Sequence, residues 1–322
     1  MIKILVLFLS IFMLFPSAFA TTADPVEKCK LGDAKACYDL GFLRMTGFMG
    51  VKIDINSATE FFTLGCKAQG AKSCSALGHL YNSGKLGKKD KKLALDFYDK
   101  GCNLKDPLGC MGLGNIYLND SKKDSSTLML AKDAFKKACS LKHGQGCTQL
   151  GFLDKEKSSE LFKQACDLKD GQGCLLLGKT LERTDKKASI ALYKKSCDLK
   201  YGEGCRNLAL NSQGKERDLY LNQACENSDL EACNLQGEEL LKLGDEKSLG
   251  KAQNLFKKAC GIHSSRACLN LANMYKSGRG VTVDYNLALD NYMRGCVYGN
   301  QDSCTEAEKM AAKIEAQDNK YR

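Results

Sequence analysis

The residues of this 322-residue chain best placed by type and spacing to do chemistry are its eighteen cysteines. They fall into nine pairs of one kind, Cys, seven residues, Cys: Cys29/Cys37, Cys66/Cys74, Cys102/Cys110, Cys139/Cys147, Cys166/Cys174, Cys197/Cys205, Cys225/Cys233, Cys260/Cys268 and Cys296/Cys304. Thiols can bridge, bind metal or exchange electrons, and spacing separates these uses. A redox site wants Cys-x-x-Cys with a lowered thiol pKa, which this sequence lacks. A disulfide needs Cα atoms within roughly 7 Å, whereas residues eight apart on one continuous helix are separated by about 12 Å. The seven intervening residues must therefore turn the chain back. Segments such as LGDAK, LKDPL, LKDGQ and YGNQD supply the Gly, Asp and Pro for that turn. Sequence alone does not fix connectivity, but nine identical local spacings favour nine local bridges, Cys29–Cys37 through Cys296–Cys304.

Other reactive side chains form weaker patterns. The three histidines, His79, His143 and His263, have no metal-ligand spacing, and no metal or cofactor is expected. Ser212-Gln213-Gly214-Lys215, Tyr220-Leu221-Asn222 and Lys276-Ser277-Gly278 follow the order of the serine β-lactamase boxes. A second Ser-x-x-Lys occurs at Ser248/Lys251, the frequency chance supplies, and Lys276-Ser277-Gly278 sits where a helix ends. No residue is therefore assigned a catalytic role. The glycine-rich loops lack the strand and Lys-Ser/Thr of a phosphate cradle.

The elements that position the cysteines repeat with them. Successive first cysteines lie between 27 and 37 residues apart, the period of a solenoid of helical hairpins. Before each pair runs a stripe of Ala, aromatic and Cys at steps of four, which keeps all three on one helix face. It reads Ala58/Phe62/Cys66, Ala94/Tyr98/Cys102, Ala131/Phe135/Cys139, Ala252/Phe256/Cys260 and Ala288/Tyr292/Cys296. A second helix is expected to begin at each second Cys, with Leu three and often Gly four residues on, as in CSALGHLY and CMGLGNIY. Tyr81, Tyr117 and Tyr275 extend the buried stripe. Glycines close these helices in the loops Gly47 to Asp54, Gly84 to Asp90 and Gly278 to Asp284, and Asp54, Asp90 and Asp284 cap the next helix. Between Cys147 and Cys225 the loops shrink. The chain reads as eight hairpins, a capping fragment before Cys29 and a polar C-terminal helix from about Gln301 to Tyr321. All of it forms one domain over residues 21–322.

Met1-Ile2-Lys3, an apolar run to Phe15 and Ala18-Phe19-Ala20 read as a cleaved secretory signal over residues 1–20, too short for a membrane span. A secreted or periplasmic location also suits eighteen cysteines. The formal net charge is +10, but lysines scattered at helix ends read as solvated faces, not as a nucleic-acid groove.

The Cys-x7-Cys units and lines such as CLNLANMYKSGRGVTVDYNLALDNYMRGC resemble the Sel-like repeat (SLR) family, relatives of the tetratricopeptide repeats, and in particular the Helicobacter cysteine-rich proteins. The resemblance implies an all-α fold, an α/α superhelical solenoid stapled by disulfides, with protein or peptide partners. It also implies an alternative, since some relatives are described as penicillin-binding proteins or weak β-lactamases, with β-lactams or peptidoglycan fragments as ligands. A third reading is a purely structural envelope scaffold. By analogy with tetratricopeptide repeats the second helices line the concave side, where residues two and five after each second Cys face outward: Asp39, Phe42, His79, Asn115, Gln149, Phe152, Lys179, Asn207, Asn270 and Asn273. Asn and Gln there could offer donor and acceptor to a peptide backbone. A monomer is expected.

Overall fold

Side-chain caps start most of the helices, and the computed structural model shows where each begins. It describes residues 24–121, 124 and 126–320; the stretch read as a secretory signal, residues 1–20, and Tyr321 lie outside the described residues. The chain divides into two compact units, Met1–Leu104 and Lys105–Arg322, and among the described residues it contains helices and no strand.

The first unit holds α1 (Pro25–Lys30), α2 (Ala34–Thr46), α3 (Ile55–Lys67), α4 (Ala71–Ser83) and α5 (Lys91–Asn103), with α2 packed on α3 and α4 on α5. The second unit repeats the device six times. Its pairs are α6 (Pro107–Asp120) with α7 (Ser126–Ser140), α8 (Gly144–Leu153) with α9 (Ser158–Asp167), and α10 (Gly171–Leu181) with α11 (Lys186–Asp198). They continue as α12 (Gly202–Leu210) with α13 (Gly214–Glu226), α14 (Leu230–Leu243) with α15 (Glu246–Gly261), and α16 (Ser265–Ser277) with α17 (Tyr285–Val297). A polar helix, α18 (Gln301–Lys320), packs on α17. Within each unit the first helices make one layer and the second helices another, so the architecture is a helical-hairpin solenoid.

The striped residues form the core. Ala58, Phe62, Ala131, Phe135, Ala252, Phe256, Ala288 and Tyr292 are all fully buried. The Phe62, Phe135 and Phe256 rings each lie against the glycine four residues after a second Cys, while for Tyr292 that position is Ala272. A Cβ on Gly41 would come within 2.6 Å of the Phe62 ring, and one on Gly237 within 2.5 Å of Phe256. Glycine is what lets the two backbones close over the ring. Asp54, Asp90 and Asp284 accept hydrogen bonds from the first-turn amides of α3, α5 and α17, and Gly47, Gly84 and Gly278 end the preceding helices in the left-handed region. In the middle of the chain the helix connections contract to residues 154–157, 182–185 and 211–213.

The start of the second helices differs from the sequence expectation. They begin three residues before the second Cys, as at Ala71 before Cys74 and Leu230 before Cys233, because the cap stands there. Asp33, Asp106, Asp170, Asp229 and Ser264 accept from amides in that first turn. The second Cys is thus already inside the helix, which brings its Cα to within 4.4–4.7 Å of the first Cys in the Cys29–Cys37, Cys66–Cys74, Cys139–Cys147, Cys166–Cys174, Cys197–Cys205, Cys225–Cys233, Cys260–Cys268 and Cys296–Cys304 bridges. Cys102 and Cys110 are disulfide-bonded as well, and no cysteine is free.

Three residues after each first Cys the backbone has positive φ, at Gly32, Gln69, Lys105, Lys142, Lys169, Lys200, Ser228, His263 and Gly299. That left-handed step lets the next amide bond back to the carbonyl before the Cys, as Gly70 N–H does to Gly65 O. Only two of the nine are glycine, and a side chain in this region costs about 1–2 kcal/mol. Lys142→Gly, Lys169→Gly and Lys200→Gly are each expected to raise stability by about 0.5–1 kcal/mol, the relief less the extra chain entropy of glycine. Alanine at the same sites should bring no gain in chemical denaturation.

Candidate functional site

The outward positions named from the sequence sit on the second helices, and the two units surround them differently. In the first unit α2 and α4 are neighbours, and a cleft of about 330 Å³ runs between them, lined by Ala34, Lys35, Tyr38, Asp39, Gly70, Ala71, Lys72 and Ser73. Tyr38 and Phe42, one turn apart, stack with centroids 6.2 Å apart, and Phe42 is 38% exposed. The Lys72 ammonium stands 5.7 Å from the Tyr38 ring centroid, a cation–π placement. Asp39 is salt-bridged to Lys35 at 2.6 Å. The cap of α4 is Gly70, which has no side chain to accept from the first-turn amides. Those N–H groups carry the positive end of the helix dipole. His79, further along α4, has its pKa held below the ordinary value by desolvation against the helix surface and by the Lys85 charge. At neutral pH it is an uncharged ring that can both donate and accept.

In the second unit the same face is tied together across repeats. Lys179 pairs with Glu203 at 2.6 Å, and Arg206 Nε donates to both oxygens of Asp229, the cap of α14. Asn270 Nδ2 donates to Asn234 Oδ1 at 2.9 Å and Glu238 Oε1 at 3.1 Å, and Arg266 donates to Glu231. Asn273 Oδ1 accepts from the Tyr292 hydroxyl. Asn207 donates to the Glu203 carbonyl on its own helix. Lys276 bonds to Glu306, and hydrogen bonds from Lys276 and Lys309 hold the Glu306 carboxyl below its usual range. Asn115 is exposed, while Gln149 and Phe152 are half-buried, with the Phe152 ring edge-on to Phe162. The structure thus joins Lys179 and Asn270 to neighbouring repeats, ties Asn273 to the other helix of its own hairpin, and leaves His79, Asn115 and Gln149 apart.

Five stretches, residues 34–69, 71–106, 134–170, 171–201 and 265–294, match the family model described as Sel1 repeat, and together they cover more than half of the chain. The chain belongs to the Sel1 repeat family. A Sel1 repeat protein from Oxalobacter formigenes superposes with a TM-score of 0.59 at 18% identity over 89% of each chain. A protective antigen present in uropathogenic Escherichia coli strains, described as displaying an SLR fold, gives 0.55 at 20% identity, over 89% of this chain and 66% of the antigen. No curated protein has a significant match. Both structural likenesses concern the fold alone.

Sel1 repeat geometry also accounts for the serine-centred motifs. The Ser212 hydroxyl donates to the Leu208 carbonyl, Tyr220 to Glu216 and Ser277 to the Asn273 carbonyl. Asn222 donates to Glu226, and Lys276 is held by Glu306. Each polar group is satisfied at short sequence range or by the next repeat, and no described hydrogen bond links Ser212, Lys215, Tyr220 and Ser277 to one another. Among the described residues no group of three or more His, Cys, Asp or Glu could hold a metal ion.

Residues that line these helices but stand outside the sequence pattern are Tyr38, Lys72, Arg206, Asn234 and Arg266, whereas Glu238 stands on it, five after Cys233. A signal was available for some of them. The residue two before each second Cys lies four before the outward position two after it, hence on the same helix face. It is charged at Lys35, Lys72, Glu203, Glu231 and Arg266.

Proposed function

We propose that this Sel1 repeat protein acts in an oxidising compartment outside the cytosol, as a scaffold that holds an extended segment of a protein partner along its second-helix face. The fold class supports protein partners, and the disulfides suit an oxidising location. No helix among the described residues is long and apolar enough to cross a membrane. The observation that carries the reading is the α2/α4 cleft, where the uncapped amides of α4, the Lys72 ammonium and the Tyr38 ring converge. Amide donors at a helix start and an adjacent cation favour a carboxylate, and the aromatic face takes the apolar part of the residue beside it. An acidic side chain or the C-terminal carboxylate of a partner chain supplies both.

The test is selection of peptides from a displayed library on the oxidised full chain, followed by equilibrium binding of the selected peptides to variants. Selected peptides should carry an acidic group next to an aromatic or aliphatic residue. They should bind at least about tenfold more weakly to Tyr38→Ala and to Lys72→Glu, and unchanged to Lys163→Glu on the first-helix layer. Peptides indifferent to both cleft substitutions would contradict the reading.

A further inference from the structure

The opposite layer of the first unit carries a second and larger cavity. It has a volume of about 550 Å³ and lies between α3 and α5, over the Cys66–Cys74 bridge. Its walls include the Phe97 ring and Leu104, and Lys67, Lys100, Gln69 and Asn103 surround it. Phe97 is held in place by a parallel stack on Tyr81, with centroids 5.5 Å apart.

The repeat supplies its own comparison for the two lysines. Lys67 follows the first Cys of one repeat, and Lys100 stands two residues before the first Cys of the next. In the second unit those register positions hold Asp167 and Lys195, which pair across the same groove at 3.7 Å. Elsewhere the cation donates to the carbonyl of the preceding first Cys: Lys258 to Cys225 O at 3.3 Å, although Glu226 stands at the acidic register position, and Arg294 to Cys260 O at 3.4 Å, where that position is Gly261. Lys100 does neither. Its ammonium stands 5.3 Å from the Phe97 ring centroid, and among the described residues no carboxylate lies within salt-bridge distance of Lys100 or Lys67. Two like charges therefore line one groove where a homologous repeat places an ion pair, and both lack an anion.

We propose that the α3/α5 cavity is a binding site for a small organic carboxylate with an aromatic body. The carboxylate sits between the Lys67 and Lys100 ammonium groups, taking the place that the Asp167 carboxylate fills in its own repeat. The ring lies against Phe97 and Leu104. Gln69 and the Asn103 carbonyl oxygen are left for a polar substituent, since the Asn103 amide donates to Asp99. The volume falls in the range of small-molecule pockets, roughly 300–1,000 Å³. This site is separate from the α2/α4 cleft, so neither proposal depends on the other.

The experiment is titration of the oxidised full chain with 3-phenylpropionate and with its uncharged analogue 3-phenylpropionamide, followed by calorimetry or by NMR shifts. The carboxylate should bind saturably and at least about tenfold more tightly than the amide. Lys67→Gln and Lys100→Gln should each weaken it by about tenfold, a loss of about 1.4 kcal/mol, while Lys100→Arg retains binding and Lys195→Gln leaves it unchanged. Lys67→Asp recreates the ion pair with Lys100 and should abolish binding while leaving the helical circular dichroism intact, which separates closure of the site from loss of fold. Equal affinity for acid and amide, full affinity in both Gln variants, or no saturable binding of the carboxylate would each overturn the proposal.

Discussion

Reduction and alkylation of all eighteen cysteines is expected to unfold the chain. Each bridge closes a loop of nine residues, which on the chain-entropy model contributes about 2.5 kcal/mol. Nine of them come to roughly 22 kcal/mol, more than the 5–15 kcal/mol by which a typical domain is stable. A solenoid has no single large core to compensate, because each repeat touches only its neighbours. The shortest pairs, α8 with α9 and α12 with α13, have the fewest residues to pack and should fail first. The measurement is far-UV circular dichroism and hydrogen exchange on oxidised and on alkylated protein. Loss of the helical signal, or its survival only as a non-cooperative slope, is the expected result. An alkylated chain with a full-amplitude cooperative transition would show that packing alone holds the hairpins.

Phe256→Ala is expected to cost about 3–5 kcal/mol, the range for removing a fully buried aromatic ring. Phe256 has no exposed surface and fills the gap that Gly237 leaves between α14 and α15. The hole cannot collapse easily, because the Cys225–Cys233 and Cys260–Cys268 bridges fix the helices on either side. The converse change, Gly237→Leu, drives a side chain into the ring and should destabilise by about 1–3 kcal/mol or more. Met293→Ala, on a surface residue 55% exposed, serves as the control and should stay within about 0.5 kcal/mol. In a repeat array the damage is local. Hydrogen exchange should accelerate in α14 to α16 of the Phe256→Ala protein while α2 to α5 keep their protection. Uniform acceleration over the whole chain would mean that the repeats are coupled more tightly than nearest-neighbour packing allows.

How far the sequence reached depends on the range of the interaction. The Ala–aromatic–Cys stripe was legible because its residues sit four apart on one helix, and where a glycine faces the ring it lies at a constant step from the second Cys. Asp54, Asp90 and Asp284 were legible as caps because Asp before an apolar stripe has a local meaning. The start of the second helices was misplaced by one turn, since a Cys at constant spacing drew the boundary away from Asp33, Asp106, Asp170 and Asp229. The left-handed residues at Lys142, Lys169 and Lys200 carry no signal in their type, because the bridge and the returning amide impose that backbone on whatever stands there. Contacts between repeats were the hardest to read. Asn270 meets Asn234 from 36 positions away, and its amide, expected to face a ligand, is engaged by the preceding repeat. The Lys67/Lys100 groove became visible only when its register was set beside Asp167/Lys195.

The partner-binding reading is tested most directly by site-specific photo-cross-linking. A benzophenone amino acid would be placed in turn at His79 on the second-helix face and at Lys163 on the first-helix layer of the oxidised full chain. A cleft-selected peptide should become covalently attached at position 79 and not at 163, and Lys72→Glu should abolish the adduct. Equal labelling at both positions, or labelling that survives Lys72→Glu, would contradict a partner held along the α2/α4 face.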